Sequence, residues 1–466
     1  MLIFSFTSIK SQHTGLFHTD YSPISAALVN PALAVNSYTF QEIKLLGASG
    51  QLHNNYLHWK DANLRSRIRD NTNKTKVNVF GEAEITAPSV IRMVERYSFG
   101  LFMRSRSIAS IRNMPLEFAK FGFEGLDYPP QHGIIYEANN ASVKGMTWGE
   151  INLHAGAIVK QYGNQIWSVA TNLKILNGFG YGGVLFRNTE ILVDSLNMEL
   201  KNFDGQYAIA VPGWGKGYGA GLDIGLSYMK MLDDDLGGFK PHSPKSFCKK
   251  KAYKFRLAAS VNDLGIIRFF NSGVRRNEIS NQGFLWNAYN DQPVGGLSSF
   301  DFVATEKLKA SNAQFDTSSA FNAYLPLAIT AQADYNYENG FYARANLLLG
   351  LRARNSFGVD RMSFLNIALR YQTQLFEAEL PLTINRIEKP GLGFNMRLWG
   401  LSFGTSNFLP LLFNFDTYSL DAYVSLSIPL YNNKECRTFL ANQYRFYRGM
   451  TRIRLFVKKK RSQRYF

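Results

Sequence analysis

Residues Leu327 to Arg352 read LAITAQADYNYENGFYARANLLLGLR and carry the clearest structural signal in the chain. On both sides of Asn339-Gly340, small or apolar side chains alternate with polar ones at every second position. Strict alternation is typical of a β-strand with one apolar face, and Asn-Gly is typical of a tight hairpin turn. The stretch therefore predicts two long antiparallel strands joined by a short turn.

The same alternation recurs along most of the chain. Many of these segments run over roughly 10–13 residues, which is longer than the usual strand and suits a tilted strand that crosses a bilayer. Thirteen strands are predicted, at residues 40–58, 75–87, 96–105, 150–161, 165–177, 216–228, 253–263, 326–337, 341–352, 361–371, 374–386, 392–403 and 419–429. A bacterial single-chain barrel has an even number of strands. One strand must therefore be missing or merged near either end, and we expect an all-β, antiparallel transmembrane barrel of about fourteen strands.

The composition favours a membrane barrel over other classes. Of 466 residues, 45% are hydrophobic, 14% are aromatic and only 19% are charged, against about 25% charged in soluble proteins. The aromatic content excludes a disordered chain, and two cysteines exclude a disulfide scaffold. No apolar run reaches the roughly 18 residues that a membrane-spanning helix needs. A soluble β-sandwich would also alternate, but with shorter strands.

Both ends of the chain differ from the barrel region, residues 40–430. Residues 1–11 predict an export signal without the usual basic start, because the apolar stretch Leu2 to Ile9 is followed by a small residue, Ser11. A short strand is the alternative. The formal net charge is +17, and residues 431–466 hold eleven lysines and arginines but one acid, Glu435. We expect this basic tail to hang in the periplasm and meet anionic lipid headgroups or an acidic partner. A solvated extension without a partner is the alternative.

Residues 12–39, between the export signal and the first strand, predict a short helix. Ser22 is a good N-cap, and the following proline suits the first helical position. Pro31 disfavours helical backbone at Asn30, so the helix ends there. We expect this segment, with Ser22, Asn30, Pro31 and Ala32, to lie inside the barrel as a plug; a loose periplasmic tether is the alternative.

Four sequence motifs carry a resemblance to known proteins. The triplet Asn30-Pro31-Ala32 resembles the Asn-Pro-Ala signature in the N-terminal hatch of FadL-type outer-membrane barrels. A Bacteroidota outer-membrane family of unknown function is similar in three further motifs: GYGAGLDIGLSY (217–228), SVNDLGIIRF (260–269) and LGFNMRLWGLSFGTSNFL (392–409). The resemblance covers about residues 15–430. It implies an outer-membrane barrel and no established activity.

No motif predicts an enzyme, a cofactor or a metal site. The sequence GLSFG at 400–404 matches the nucleophile pattern GxSxG, but it lies within an alternating strand, whereas a nucleophile elbow needs a strand, a turn and a helix. Gly178, Gly180 and Gly183 match GxGxxG without a following helix, so a dinucleotide site is not expected. The acidic run starting at Asp233 lacks the ligand spacing of a calcium loop.

Charged residues on the polar faces of the strands are the candidate functional residues. A charge that faces lipid near the middle of the bilayer costs about 2–4 kcal/mol for Arg, so these residues should face the lumen. They are Asp223, Arg256, Asp334, Arg344, Arg352, Arg370, Glu377, Glu379, Arg397 and Asp421. They form either an ion-paired filling that closes the lumen or a polar conduction path. We expect Leu257→Arg to impair insertion and Arg256→Leu to be mild.

Two functions fit this architecture in the bacterial outer membrane. The first is a FadL-like passage for small or hydrophobic solutes. The second is a scaffold without transport that holds a secretion, motility or surface assembly. We expect contact with outer-membrane lipid and none with nucleic acid; the sequence leaves the oligomeric state open.

Overall fold

The structure is a computed structural model. It describes residues 19–58, 67–68, 75–116, 129, 132–195, 197–233, 252–287, 305–306, 315–351, 356–385, 387, 390–408 and 418–430. The predicted export signal (1–11), the basic tail (431–466) and Arg352 lie outside these residues.

Fourteen antiparallel strands form one closed barrel, which confirms the predicted fold class. The first seven are β1 Gln41–Asn54, β2 Lys76–Thr86 with Ser89–Val94, β3 Tyr97–Pro115, β4 Ala141–Tyr162, β5 Gln165–Val193, β6 Asn197–Ala210 with Gly217–Met231, and β7 Tyr253–Phe269 with Val274–Asn287. The other seven are β8 Phe315–Ser318 with Phe321–Tyr324 and Ala328–Asn336, β9 Phe341–Gly350, β10 Phe364–Gln372, β11 Phe376–Asn385, β12 Gly391–Leu392 with Phe394–Leu398, β13 Leu401–Thr405, and β14 Ser419–Leu430.

The barrel closes between its first and last strands, where Gln41 pairs with Leu430 and His53 with Ser419. The prediction of a single strand at 392–403 was wrong. A turn at Trp399 and Gly400 divides this stretch into β12 and β13, which pair with each other. This was the merged strand, because a two-residue turn barely interrupts the alternation.

Several other segments belong to the sheet or extend it. Ile135–Glu137 pairs with the end of β5, and Leu57–His58 pairs with Arg67–Ile68 in a separate two-stranded sheet. Residues 106–115 and 141–149 also form strand, although the sequence predicted a connection there. The same holds for most of 178–215, which belongs to β5 and β6.

The two rims of the barrel differ. At the lower rim, where β1 begins and β14 ends, turns such as 163–164 and 399–400 are short, and exposed aromatic side chains form a belt: Tyr97, Tyr162, Trp167, Tyr337, Phe341, Tyr371 and Trp399. Exposed Trp214, Tyr218 and Phe270 lie where β6 and β7 are interrupted. On β5, the distance from Trp167 to Phe179, which stacks on Trp214, is about 30 Å after strand tilt, the thickness of a bilayer core. Above this level β5, β6 and β7 continue as an upper extension.

In the described residues that precede β1, the chain forms two short helices, α1 Pro23–Ala27 and α2 Pro31–Val35. The predicted helix start at Pro23 is observed, but Ser22 makes no side-chain capping bond. The prediction that Asn30-Pro31 only ends a helix was incomplete. Asn30 is the N-cap of α2 and accepts a hydrogen bond from the Ala32 N–H at 3.0 Å, while Pro31 takes the first helical position. Among the described residues, no helix has the length and apolarity to span a membrane.

Along the strands, apolar side chains face outward and polar ones face inward. On β7, Leu257, Val261 and Leu264 are exposed while Arg256 and Ser260 are buried. Tyr253 is an exception: strict alternation would place it on the same outward face as Leu257, but it is buried. A shift of register near Lys230 and Met231 turns it inward.

Candidate functional site: the filled lumen and a cavity in the barrel wall

Residues 19–37, here called the plug, lie in the lower half of the lumen and are hydrogen-bonded to the barrel wall. Glu42 on β1 accepts a hydrogen bond from the Ile24 N–H of α1 at 2.8 Å. Asn172 on β5 donates to the Ala27 carbonyl at 2.9 Å. Asn262 on β7 donates to the Val29 carbonyl at 2.7 Å. Wall side chains therefore satisfy backbone groups that a short helix leaves unpaired at its ends.

The Asn-Pro-Ala triplet sits against β6. A Cβ added at Gly225 would lie 2.1 Å from Asn30 Oδ1 and 2.9 Å from the Ala32 N. Only glycine allows this approach of plug and wall. The Asn30 side chain also donates to Gln332 on β8 at 3.0 Å. The structure thus brings together two motifs, Asn30-Pro31-Ala32 and GYGAGLDIGLSY, that lie far apart in the sequence.

Tyr38, just after the plug, is packed in the same region. Its backbone N–H donates to the Asp20 carbonyl at 2.7 Å, and its ring lies 5.4 Å from that of Tyr21. Burial, followed by the nearby Asp20, raises the pKa of the Tyr38 hydroxyl well above its ordinary value. The phenol therefore stays neutral.

Eight buried charges near the lower rim form the Asp334 cluster: Asp20, Arg256, Asp334, Arg344, Arg370, Glu377, Glu379 and Arg397. Arg256 contacts Asp20 of the plug at 2.7 Å and Asp334 at 2.6 Å. Asp334 also contacts Arg344 at 3.4 Å and Arg370 at 3.3 Å. The chain of ion pairs continues from Arg370 and Arg344 to Glu377, Glu379 and Arg397.

A second group of charges lies higher in the lumen and forms the Asp263 cluster: Glu82, Glu84, Arg104, Arg106, Glu150, Lys174, Asp223, Asp263 and Arg361. Asp263 contacts Arg106 at 2.9 Å and Lys174 at 2.5 Å. Lys174 also contacts Asp223 at 2.7 Å.

Asp263 faces the lumen because of a β-bulge in β7. Its φ is 59°, in the left-handed region, and the pairing with β6 shifts between Leu222 and Ile224. Asp and Asn tolerate this conformation better than other residues with a side chain. Its N–H donates to Asp223 Oδ1 at 2.7 Å. Strict alternation would have put Asp263 on the lipid face beside Val261.

The described lumen-facing candidates from the sequence are all buried, but they do not form one site. Seven belong to the Asp334 cluster, and Asp223 belongs to the Asp263 cluster. Asp421 lies apart on β14, where it accepts hydrogen bonds from the Ser406 N–H at 2.6 Å and the Thr405 hydroxyl at 2.8 Å. Sequence reasoning missed Asp20 and most of the Asp263 cluster. Glu82 with Glu84, and Arg104 with Arg106, were detectable as charges two residues apart in alternating strands.

A cluster of apolar side chains lies in the upper half of the lumen. Tyr181, Phe269 and Phe321 from three strands pack with Phe357, with ring centroids 5.2–6.1 Å apart. Phe357 belongs to residues 356–362 of the β9–β10 connection, here called the strap. The strap lies inside the barrel, and its Val359 and Met362 are buried in the same cluster. The lumen is therefore filled from both ends, by the plug below and the strap above.

Two cavities lined by described residues lie beside these segments. One of about 50 Å³ lies between the plug and the Asp263 cluster, next to Ser25, Val29 and Lys174. A larger one, of about 430 Å³, is here called the wall cavity. Its lining includes inward residues such as Asp263 and Phe357 together with outward residues such as Leu264 and Ile266. The wall cavity thus extends from the lumen to the outer surface of the barrel.

The sequence matches to enzyme motifs lie in strands. Residues 401–404 of the GLSFG motif belong to β13, and Gly178, Gly180 and Gly183 belong to β5. Neither match is followed by a helix within the described parts of the chain, as a nucleophile elbow or a dinucleotide site requires.

Comparison with known proteins gives a family. Residues 31–406 match the model of a family described as "Family of unknown function (DUF5723)". No curated protein matches the chain. Among solved structures, the Ralstonia pickettii toluene transporter TbuX is 9% identical, with 87% of this chain and 94% of that one covered and a TM-score of 0.41.

Two further structures are similar. The Pseudomonas putida toluene transporter TodX is 10% identical, with 91% of this chain and 100% of that one covered and a TM-score of 0.32. A Pseudomonas aeruginosa FadL homologue is 10% identical, with 90% and 99% covered and a TM-score of 0.36. These similarities concern the fold alone.

Proposed function

The chain belongs to the DUF5723 family, and we propose that it is a bacterial outer-membrane barrel that passes small apolar solutes through its wall. The wall cavity is the observation that carries this proposal. Its volume of about 430 Å³ falls in the range of pockets that hold small organic molecules. Much of its lining is apolar, including Leu264, Ile266, Leu325 and Leu351.

The level of the cavity supports a route for apolar solutes. Leu264 pairs with Leu222 on β6, which pairs with Leu173 on β5. Leu173 lies midway between Trp167 and Phe179, whose rings mark the two membrane interfaces. An apolar solute that leaves the cavity at this height enters the hydrocarbon core of the membrane directly. Its transfer there is favourable, so no polar side chains are needed to take the place of water.

A water-filled path along the barrel axis receives less support. The plug is hydrogen-bonded across the lower lumen, and the Asp334 and Asp263 clusters pair their charges with one another. A hydrated ion would have to separate buried ion pairs, and breaking one such pair costs about 3–5 kcal/mol. We therefore expect very low ionic conductance from the closed state.

Uptake of N-phenyl-1-naphthylamine, a small fluorescent apolar probe, tests the proposal in cells that carry the barrel in their outer membrane. Leu264→Trp fills the mouth of the wall cavity and should reduce the protein-dependent uptake rate at least fivefold. Leu257→Trp is the matched control, because Leu257 is an exposed leucine on the same strand and does not line the cavity. The proposal fails if the wild-type barrel adds no uptake, or if both variants reduce uptake equally.

The filled lumen favours a second function, a scaffold without transport for a secretion, motility or surface assembly. In this proposal the upper extension of β5, β6 and β7 serves attachment outside the cell, and the basic tail, residues 431–466, binds a periplasmic partner. A scaffold predicts no added uptake of the apolar probe. Truncation after Asn432 should leave membrane insertion intact and abolish a partner interaction that weakens with salt.

A further inference from the structure

The strap, residues 356–362, leaves the barrel wall and enters the lumen. Its backbone meets β8 in a single parallel bridge between Tyr324 and Gly358. The Tyr324 N–H donates to the Phe357 carbonyl at 3.0 Å, and the Val359 N–H donates to the Tyr324 carbonyl at 3.3 Å. A wall strand is held by a long ladder of such bonds, whereas the strap has this one bridge to β8.

Gly358 makes this contact possible. Its φ is 133°, which side chains rarely allow, and an added Cβ would lie 2.5 Å from the Tyr324 carbonyl oxygen. The Gly358 N–H also donates to the Tyr181 hydroxyl at 3.2 Å. Gly358 thus places Phe357 and Val359 into the aromatic cluster and at the edge of the wall cavity, which both residues line.

Ion pairs of Asp360 and Arg361 hold the strap in addition to this bridge. One of them joins Arg361 and Glu82 at 3.8 Å, and Lys144 on β4 donates to the Ser356 carbonyl at 3.2 Å. Asp360 contacts Arg112 at 3.2 Å, and Arg361 contacts Asp263 at 3.5 Å. Asp263 is already paired with Arg106 and Lys174, both closer than Arg361. When Arg361 is removed, the Asp263 carboxylate therefore keeps two cationic partners. An unpaired buried carboxylate would make movement of the strap out of the lumen costly. The wall residues of the Asp263 cluster stay paired with one another whether the strap lies inside the lumen or has left it.

We propose that the strap is a gate that opens towards the upper rim and controls access to the wall cavity. The ion pairs of Asp360 and Arg361 hold it closed, and Phe357, Val359 and Met362 seal the apolar chamber above the Asp263 cluster. This inference rests on the proposed function in one respect: it assumes that solutes pass through the wall cavity. The movement of the strap itself can be measured separately.

The test measures how fast a membrane-impermeant maleimide-polyethylene glycol labels Met362→Cys on intact cells. Cys248 and Cys436 are first replaced by serine so that the reporter is the only thiol. With Arg361 present, labelling should be slow because Met362 is buried. Adding Arg361→Gln should raise the labelling rate at least tenfold, and Arg112→Gln should raise it less because Arg112 is partly exposed.

Asp204→Asn is the control, because it removes an ion pair with Arg187 in the upper extension and leaves Glu278 paired with Arg276, whose guanidinium lies over the Phe357 ring. Heat-modifiable gel mobility verifies that each variant is folded, and Val359→Cys is a second reporter. Equal labelling of the Arg361→Gln and Asp204→Asn proteins, or fast labelling with Arg361 intact, would overturn the gate. If labelling accelerates but uptake of N-phenyl-1-naphthylamine does not, the gate stands and the passage is wrong. If uptake depends on Leu264 but labelling never changes, only the gate is wrong.

Discussion

The Asp334 and Asp263 clusters both bury paired charges in the lumen, but the backbone places their central carboxylates differently. Asp334 lies in the regular part of β8, where alternation alone turns it inward. Asp263 faces inward only because β7 bulges and its φ becomes 59°. Charges placed by regular alternation can be read from the sequence, whereas a charge placed by a bulge is concealed by the same pattern.

The clusters also differ in the inserted segment that each one ties to the wall. The Asp334 cluster includes Asp20 of the plug, paired with Arg256. The Asp263 cluster includes Arg361 of the strap. In the first, both carboxylates paired with Arg256 are nearly fully buried. In the second, the strap's arginine is 21% exposed and the wall carboxylate has closer partners. The plug is thus bound more firmly than the strap.

The largest expected effect comes from breaking the Asp334 cluster. Arg256→Leu leaves Asp20 and Asp334 without their closest cation and should lower the free energy of unfolding by about 3–5 kcal/mol. The sequence alone predicted a mild effect for this substitution, and the two contacts at 2.7 and 2.6 Å argue against that expectation. Urea unfolding of the vesicle-inserted barrel, followed by gel mobility, measures the change. Wild-type stability in Arg256→Leu would contradict the prediction.

The next effect tests the outward register of β7, on which both clusters depend. Val261 pairs with Ile224 near mid-membrane, whereas Leu257 pairs with Tyr228 beside Trp167 at the lower aromatic belt. Val261→Arg should therefore cost about 2–4 kcal/mol, and Leu257→Arg only about 0–1 kcal/mol. The sequence alone predicted that Leu257→Arg impairs insertion, and the position of Leu257 at the aromatic belt argues against that expectation. The same unfolding measurement compares the two. If Leu257→Arg lowers the free energy of unfolding more than Val261→Arg does, the assumed position of the barrel in the bilayer is wrong.

A smaller effect isolates the bulge. Asp263→Asn and Asp263→Leu both remove the charge, but leucine tolerates a φ of 59° poorly. Asp263→Leu should be less stable than Asp263→Asn by roughly 1–2 kcal/mol. The matched pair at Asp334, in regular strand backbone, lacks this backbone penalty. An equal difference between Leu and Asn at both positions would contradict the role given to the bulge.

The smallest effect is expected outside the lumen. Arg187 contacts Asp204 at 2.9 Å and Glu278 at 2.8 Å, with side chains about 30% exposed. Water and salt screen such pairs, so Arg187→Gln should change the free energy of unfolding by about 0–1 kcal/mol. Repeating the measurement at high salt should remove most of the difference. A loss as large as that of Arg256→Leu would show that burial does not distinguish the two kinds of ion pair.

Much of the barrel could be predicted from local sequence. The long alternating segments identified most strands, because each strand repeats the same side-chain period. The rule that a bacterial single-chain barrel has an even number of strands then raised the predicted number from thirteen to fourteen. The prediction was wrong where local signals were weak. The turn between β12 and β13 interrupts the pattern by only two residues, and the upper parts of β5 and β6 contain glycines and bulges that blur it.

The sequence by itself determined the fold class, the outward apolar face and a short helix beginning at Pro23, since these follow from side-chain period and local backbone preference. Only the tertiary structure decided which charges pair, that Gly225 receives the Asn-Pro-Ala triplet, and that residues 356–362 enter the lumen. These contacts join residues that are tens to hundreds of positions apart in the sequence. A local sequence pattern cannot specify which distant residues will meet. The wall cavity is of the same kind, because it exists only where β7, β8 and the strap meet.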